Sequence, residues 1–234
     1  MLVFCGGMIR AASTLQYQLA SSIVELRDAG ERVTWHEPDD LSALLPFYTA
    51  KDGYFVFKTH NLTHPIRELF QKSMALGIYI YRDIRDVVVS LMRKNKRSFE
   101  EVFPATVISA LDQFTQWTSQ PQVMSSRYEN VLGSIASEVQ RIADHLKLSV
   151  SIEEVKHLAN EHSLECQKRR IQRSQANPDK LAGAGTNTYD ARSLLHLNHI
   201  TSGNVGEWKE ALMQDQVGMI ESVAGEWLEK QGYK

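Results

Sequence analysis

Cysteine is scarce in this chain: Cys5 and Cys166 are the two thiols in 234 residues. Two cysteines cannot build the disulfide framework of a small secreted scaffold, so the expectation is a pair of buried thiols in a reducing compartment. Net charge is scarce too. A value of −2 at neutral pH excludes global attraction to nucleic acid or to an anionic membrane, so any anion site must be a local basic pocket. No run approaches the ~20 apolar residues of a membrane span. The opening Met1-Leu2-Val3-Phe4-Cys5 is apolar, but it is too short for a signal peptide, and Gly6, Gly7 and Arg10 interrupt it. Internal repeats, a dividing linker and a cluster of metal ligands are also missing. These absences leave one domain over residues 1–234, a cytoplasmic enzyme or binding protein with no nucleic-acid partner, no metal and no membrane span.

What is present is ordinary in bulk, with 43% hydrophobic and 23% charged residues, and ordered along the chain. Residues 2–5 form an apolar run, followed by glycine and then a helical pattern over 13–29. There Leu15, Leu19, Ile23 and Leu26 recur at helical spacing before Gly30. Strands are expected at 32–36, 54–57 and 78–81, with helices at 65–76 and 85–94. This alternation predicts an α/β fold with a mostly parallel central sheet covered on both faces, a P-loop-like three-layer α/β/α arrangement. The second half reads as helix-rich. A helix over 99–117 kinks or restarts at Pro104, a weak strand lies at 122–125, and helices follow at 131–146, 152–174 and 217–230. Residues 175–190 are rich in Gly, Asn, Asp, Ala and Thr without periodicity, and are expected to be a mobile loop.

Three segments carry chemistry. In residues 6–14, a strand runs through Gly6 and Gly7 into a helix that begins at Ser13-Thr14. Backbone N–H groups at such a helix start can cradle a phosphate, and Arg10 adds a planar fork for two oxygens. The plainer reading makes Ser13 an N-cap and Arg10 a solvated charge, and the loop alone leaves both open. It does not match G-x-x-x-x-G-K-[ST]. The second segment, Lys58-Thr59-His60, closes a strand and supplies a cation beside a histidine that can act as a base. A lone histidine at a strand end is more often structural, and it is Lys58 and Thr59 that lift this one above that reading. In the third, Arg82 ends a strand at the edge where ligands of open α/β sheets bind, and Ser90 follows on a helix face that can look back at it. Arg85 and Asp86 fit ion pairs with each other or with neighbours, while Trp208 and Trp227 fit core anchors. The basic run Lys168-Arg169-Arg170, with Arg173, is either a solvated helix end or a lid over anions.

In this order the segments resemble the sulfotransferase family. Its 5′-phosphosulfate loop, K/R-S-G-T/S-T, corresponds to Arg10-Ala11-Ala12-Ser13-Thr14. Its cytosolic-type K-T-H is Lys58-Thr59-His60, and its R-x-P-R/K-D-x-x-x-S is the segment from Arg82 to Ser90. Arg127-Tyr128-Glu129-Asn130 is similar to its R/F-Y-E-D/N segment, and the stretch from Gly203 to Lys209 is similar to G-x-x-G-D-W-K. The resemblance implies sulfuryl transfer from 3′-phosphoadenosine-5′-phosphosulfate (PAPS) to a hydroxyl or amine of a small-molecule acceptor, leaving adenosine 3′,5′-bisphosphate, without a metal. It makes His60 the general base, with Lys58 and Arg10 stabilising charge. It assigns nucleotide contacts to Gly7, Arg10, Ala11, Ala12, Ser13, Thr14, Arg82, Ser90, Tyr128, Thr201, Ser202 and Gly203.

The departures from the family are also specific. Ala11 and Ala12 stand where the family has Ser-Gly, and Leu15 stands where cytosolic members carry an aromatic residue that helps hold adenine. Thr201-Ser202 stand where it has Arg-Lys for the 3′-phosphate, which makes Arg169, Arg170 and Arg173 the candidates to compensate. The chain is short between the first loop and Lys58, the region that builds the acceptor pocket, so acceptor and oligomeric state stay open. Glu37 is a rival base, as in the Golgi branch, and His64 is a local one. Two other functions remain: a P-loop-like nucleotide kinase, which would need Mg²⁺, and a non-catalytic nucleotide-binding protein.

Overall fold

The computed structural model describes residues 1–198, 200 and 203–234. Five parallel strands form its sheet: β1 (Leu2–Gly7), β2 (Gly30–Arg32), β3 (Tyr54–Lys58), β4 (Ala75–Tyr81) and β5 (Val123–Arg127), in the order β2-β3-β1-β4-β5. Side chains alternate along β1. Leu2 and Phe4 enter one core cluster with Phe55, Phe57 and Trp117, and Val3 and Cys5 enter the other with Val56, Ile78 and Ile23. A strand buried on both faces reads as a continuous apolar run, which is why Leu2-Val3-Phe4-Cys5 shows no polar alternation.

Helices cover both faces. Those before β5 are α1 (Ser13–Leu26), α2 (Pro38–Thr49), α3 (His64–Gln71), α4 (Ile84–Asn95), α5 (Phe99–Val102) and α6 (Ala105–Thr118). Those after it are α7 (Tyr128–Gly133), α8 (Ile135–His145), α9 (Ile152–Glu161), α10 (Leu164–Gln175), α11 (Trp208–Ala211) and α12 (Gln214–Lys230). Short strands β6 (Leu181–Ala182) and β7 (Tyr189–Asp190) pair antiparallel between α10 and α11. No helix of the described residues is long and apolar enough to cross a membrane.

Several boundaries differ from the sequence reading. The strand expected at 32–36 lies at Gly30–Arg32, because its partner Tyr54–Val56 sets the register and only the Val33 N–H, bonded to the Val56 carbonyl at 2.8 Å, extends it. The helix expected at 65–76 stops at Gln71, since Ser73 turns the chain at φ 54° and Ala75 already belongs to β4. Helix 99–117 is two pieces, separated at Phe103-Pro104, where the residue before proline is extended. Helix 131–146 restarts at Ser134, whose side chain caps α8. Helix 152–174 is likewise two, because the Ser163 side chain accepts from the Cys166 N–H and begins a new helix. Residues 175–190 hold two 3₁₀ turns and the β6–β7 pair rather than an unstructured loop. Helix α2 was not anticipated, although Pro38 at its start and Asp39-Asp40 in its first turn are ordinary signals. Cys5 is buried as expected, but Cys166 is partly exposed, and hydrogen bonds from Ser163 and Arg169 pull its thiol below the usual range.

β1 approaches its neighbours too closely for side chains at its end. A Cβ on Gly6 would sit 2.8 Å from the Trp117 ring, and one on Gly7 would sit 2.6 Å from Ile80 Cγ2 and 2.8 Å from the Ile80 carbonyl oxygen. Gly7→Ala should therefore cost about 1–3 kcal/mol by overpacking. Urea unfolding measures it, and an unchanged midpoint would show that β4 gives way freely.

Candidate active site

The carboxyl ends of β1, β3, β4 and β5 lie along one sheet edge and deliver residues 8–14, Lys58-Thr59-His60, Arg82 and Tyr128 to the same place. This is the edge at which open parallel sheets bind ligands. After Gly7 the chain turns tightly: Met8 N–H bonds the Ile80 carbonyl at 2.9 Å, and Ala11 N–H bonds the Met8 carbonyl at 3.1 Å. Arg10 and Ala12 both adopt φ 65° to make that turn. Ala12, not Ser13, is the N-cap of α1, so no side chain caps this helix and no acid lies in its first turn. Its leading N–H groups and dipole are left for an external anion. Glycine is the residue that adopts this conformation without cost, so the alanine at 12 stores strain.

Lys58 ends β3 with a buried side chain. Its Nζ lies 3.2 Å from His60 Nε2 and 5.1 Å from the centre of the Trp35 ring. His60 Nδ1 lies 3.3 Å from the Gly7 carbonyl oxygen, which can only accept. Nδ1 therefore carries the proton, and Nε2 presents its lone pair to the Lys58 ammonium. The His60 carbonyl accepts from Trp117 Nε1 at 3.3 Å, fixing the backbone below the ring. Burial, then the Lys58 charge, pushes His60 down to about 4, and burial brings Lys58 down to about 8.

Arg82 is held at several points. Its Nη2 donates to the Asn204 carbonyl at 2.7 Å and lies 3.3 Å from the Asp86 carboxylate, while the guanidinium stacks 4.4 Å from the centre of the Tyr128 ring. Arg82 Nε is buried with no hydrogen-bond partner among the described residues. Asp86 also accepts from the backbone N–H groups of Gly206 at 2.8 Å and Trp208 at 3.0 Å, tying the loop before α11 to α4. Arg85 turns away, bonded to Asp83, Glu221 and the Tyr233 carbonyl and stacked on Trp208. Arg85 and Asp86 thus pair with neighbours rather than with each other. Ser90 accepts from Arg10 Nε at 2.9 Å, so it faces the first loop more directly than it faces Arg82. Tyr128 Oη donates to the Gly203 carbonyl at 3.3 Å.

These groups surround a cavity of about 270 Å³. Of the residues expected from sequence, Arg10, Ala12, Ser13, Thr14, Lys58, His60, Arg82, Ser90, Tyr128 and Gly203 line it. Gly7 does not: its missing side chain serves strand packing, and its carbonyl serves His60. Ala11 is fully buried, with its N–H used inside the turn. Thr201 and Ser202 lie outside the described residues. The basic residues Arg169, Arg170 and Arg173 do not reach the cavity, and neither do Glu37 or His64, both exposed. Sequence reasoning missed Lys94, which lines the cavity one turn beyond Ser90 and could have been found from that i, i+4 spacing. It also missed the apolar wall of Leu132, Ile135, Leu164, Leu195 and Ile200, and the polar pair Gln18 and Gln167. Among the described residues four cations, Arg10, Lys58, Arg82 and Lys94, meet one carboxylate there, Glu207, which also pairs with Arg93 at 2.6 Å. Burial lowers the proton affinity of Arg10 and Lys94, and the neighbouring arginine in each case adds to it.

Comparison with known proteins places this geometry. The sulfotransferase domain family model matches residues 45–232, beginning after the first loop. No curated protein sequence matches the chain. Solved structures that resemble it include retinol dehydratase in complex with retinol and PAP, at 18% identity and TM-score 0.65, covering 97% of this chain and 81% of that one. Retinol dehydratase with androsterone and PAP gives 17% and 0.64, covering 97% and 80%. Mouse sulfotransferase SULT7A1 complexed with PAP gives 15% and 0.68, covering 97% and 84%. At these identities the likeness establishes the shared fold.

Two outcomes follow from the geometry. Ala12→Gly should raise stability by about 0.5–1 kcal/mol, the left-handed strain relieved less the added freedom of the unfolded chain. A loss in denaturant unfolding would show that the turn is unstrained. His60 should titrate near pH 4 by NMR of its ring protons. Its unfolded counterpart titrates near ~6.5. Between these values the unfolded chain takes up a proton that the folded chain refuses, so stability should fall as pH drops from ~6.5 to about 4. A midpoint near the unfolded value would mean that the ring is solvated.

Proposed function

The chain belongs to the sulfotransferase family, and we propose that it moves a sulfuryl group from PAPS to a hydroxyl or amine of a small-molecule acceptor with His60 as the general base. We read residues 1–234 as one such domain, resident in the cytoplasm. The observation that carries the site assignment is the orphaned Arg82 Nε, buried among cations beside an uncapped helix start. A buried donor without a partner costs about 1–3 kcal/mol, and a phosphate oxygen would satisfy it. Arg82, Ser90 and Lys94 suit the 3′-phosphate, while Arg10 and the first-turn N–H groups of α1 suit the 5′-phosphosulfate. The wall of Leu132, Ile135 and Leu164 suits an apolar base face, in place of the aromatic residue missing at Leu15.

PAPS supplies an activated sulfur whose bond to the 5′-phosphate oxygen breaks as the bond to the acceptor oxygen or nitrogen forms. The chain's own part is positioning, charge and one proton. His60 is neutral at physiological pH with its Nδ1–H committed to Gly7, so Nε2 is the atom free to take the acceptor proton. In the resting geometry Lys58 masks that lone pair from 3.2 Å. An anion in the cavity offers the ammonium a stronger partner, which would unmask the base and place the cation where charge builds on the leaving oxygen.

A screen of phenols, alcohols, sugars and amines with labelled PAPS tests the activity. On the acceptor it finds, His60→Ala should cut turnover about 10²-fold or more while leaving nucleotide affinity nearly intact. Near-normal turnover of that variant would exclude His60 as base. Calorimetry should show adenosine 3′,5′-bisphosphate binding at least about tenfold better than AMP, with Lys94→Ala removing much of the difference. Equal affinities would exclude the 3′-phosphate assignment.

A further inference from the structure

The basic stretch at the end of α10 turns away from the active cavity and lines a second one. This groove, about 610 Å³, lies between α1, α9, α10, the end of β2 and residues 177–193. Among the described residues it shares one lining residue with the first cavity, the buried His162, which forms the partition between them. The imidazole is fixed on both sides, with Nε2 3.0 Å from Ser22 Oγ and Nδ1 3.5 Å from Gln167 Nε2. The groove is therefore a separate feature rather than an extension of the active site.

Its walls are strongly positive. Arg32, Arg170, Arg173, Lys180 and Arg192 line it, against the carboxylates Glu161 and Asp190. Arg32 and Arg192 already share Glu25, which lies outside the groove. Asp190 is spent on the loop, accepting from Ser193 N–H at 2.8 Å, Ser193 Oγ at 2.7 Å and Ser174 Oγ at 3.0 Å. Arg170, Arg173 and Lys180 carry no ion pair or side-chain hydrogen bond among the described residues, and Arg170 and Arg173 are i, i+3 neighbours on one helix face. Like charges at that spacing destabilise a helix unless something anionic sits between them. The adjacent Arg169 is different: it pairs with Glu165 on another face.

We infer that this groove is a second anion-binding site, for a small molecule that carries several phosphate or sulfate ester groups. Guanidinium forks match both tetrahedral esters with paired hydrogen bonds, and Arg170, Arg173 and Lys180 outnumber Glu161, the remaining carboxylate of the groove, which leaves positive charge for more than one such group. The volume is that of an ordinary small-ligand site. The net charge of −2 argues against a long polyanion reading the whole surface.

The test uses the full chain with the first cavity filled by one molar equivalent of adenosine 3′,5′-bisphosphate, enough for one site and not for both, and its own titration reports separately on the donor assignment. Tripolyphosphate and a trisulfated disaccharide are then titrated calorimetrically at low ionic strength. At least one should bind one-to-one, and the tighter of the two identifies the ester class. Arg170→Gln/Arg173→Gln should weaken that binding at least about tenfold, while Lys168→Gln/Arg169→Gln, an equal charge change outside the groove, should leave it unchanged. Lys180→Gln, in a surface turn, gives the same reading if the double variant melts early. Absence of binding by both probes, equal loss in the control variant, or binding of a single-stranded oligonucleotide alone would overturn the assignment.

Discussion

Positive charge gathered into a half-buried cavity is the constraint that organises this molecule. Arg10, Lys58, Arg82 and Lys94 converge on one space with a single carboxylate among the described residues. Each cation loses hydration and repels the others, which is why burial and its neighbours lower the proton affinity of Arg10, Lys58 and Lys94. The architecture resists that repulsion with rigid supports. Asp86 steadies Arg82 from one side and Tyr128 from the other; Ser90 holds Arg10; and Trp117 and Gly7 hold His60. Burial, and after it the Lys58 charge, keeps His60 uncharged, so the pocket that attracts an anion also holds a neutral imidazole.

Rigid backbone makes this possible. Gly6 and Gly7 let β1 press against Trp117 and Ile80, and that contact sets the level from which the anion loop departs. The loop then holds Arg10 and Ala12 in a left-handed conformation that other residues avoid. Strain of this kind survives only where the surroundings over-determine it, and the fully buried Met8 and Ala11 supply that grip.

The sheet was largely legible in the sequence because its strands are apolar, short and bounded by glycine or charge. Lys58 and His60 were legible because they stand at the end of the apolar β3 and just beyond it, and Arg82 because it follows β4 directly; Tyr128, after the mostly polar β5, was legible through the segment Arg127-Tyr128-Glu129-Asn130. Elements that depend on partners were not. β2 is Gly-Glu-Arg and exists because Tyr54–Val56 lies beside it. α2 was hidden by Pro46 inside it. The break at His162-Ser163 was hidden by helical spacing that continues across it, yet that break puts His162 between two cavities. Lys94 was overlooked because a lysine near a helix end reads as solvated. The run from Lys168 to Arg173 was read by charge alone, whereas its direction is set by the phase of α10 and the segment that folds back over it.

Asp86 connects two distant parts of the chain through three donors, one of them at the end of β4 and two around residue 207. During synthesis all five sheet strands leave the ribosome well before Gly206 does. Until then a carboxylate destined for the interior, and an arginine destined for the Asn204 carbonyl, have only water and each other. The nascent sheet can form its ladder, but its ligand edge must stay open and hydrated. Maturation of the cavity is thus a late event in biogenesis, gated by a loop some 120 residues downstream of the acid it satisfies.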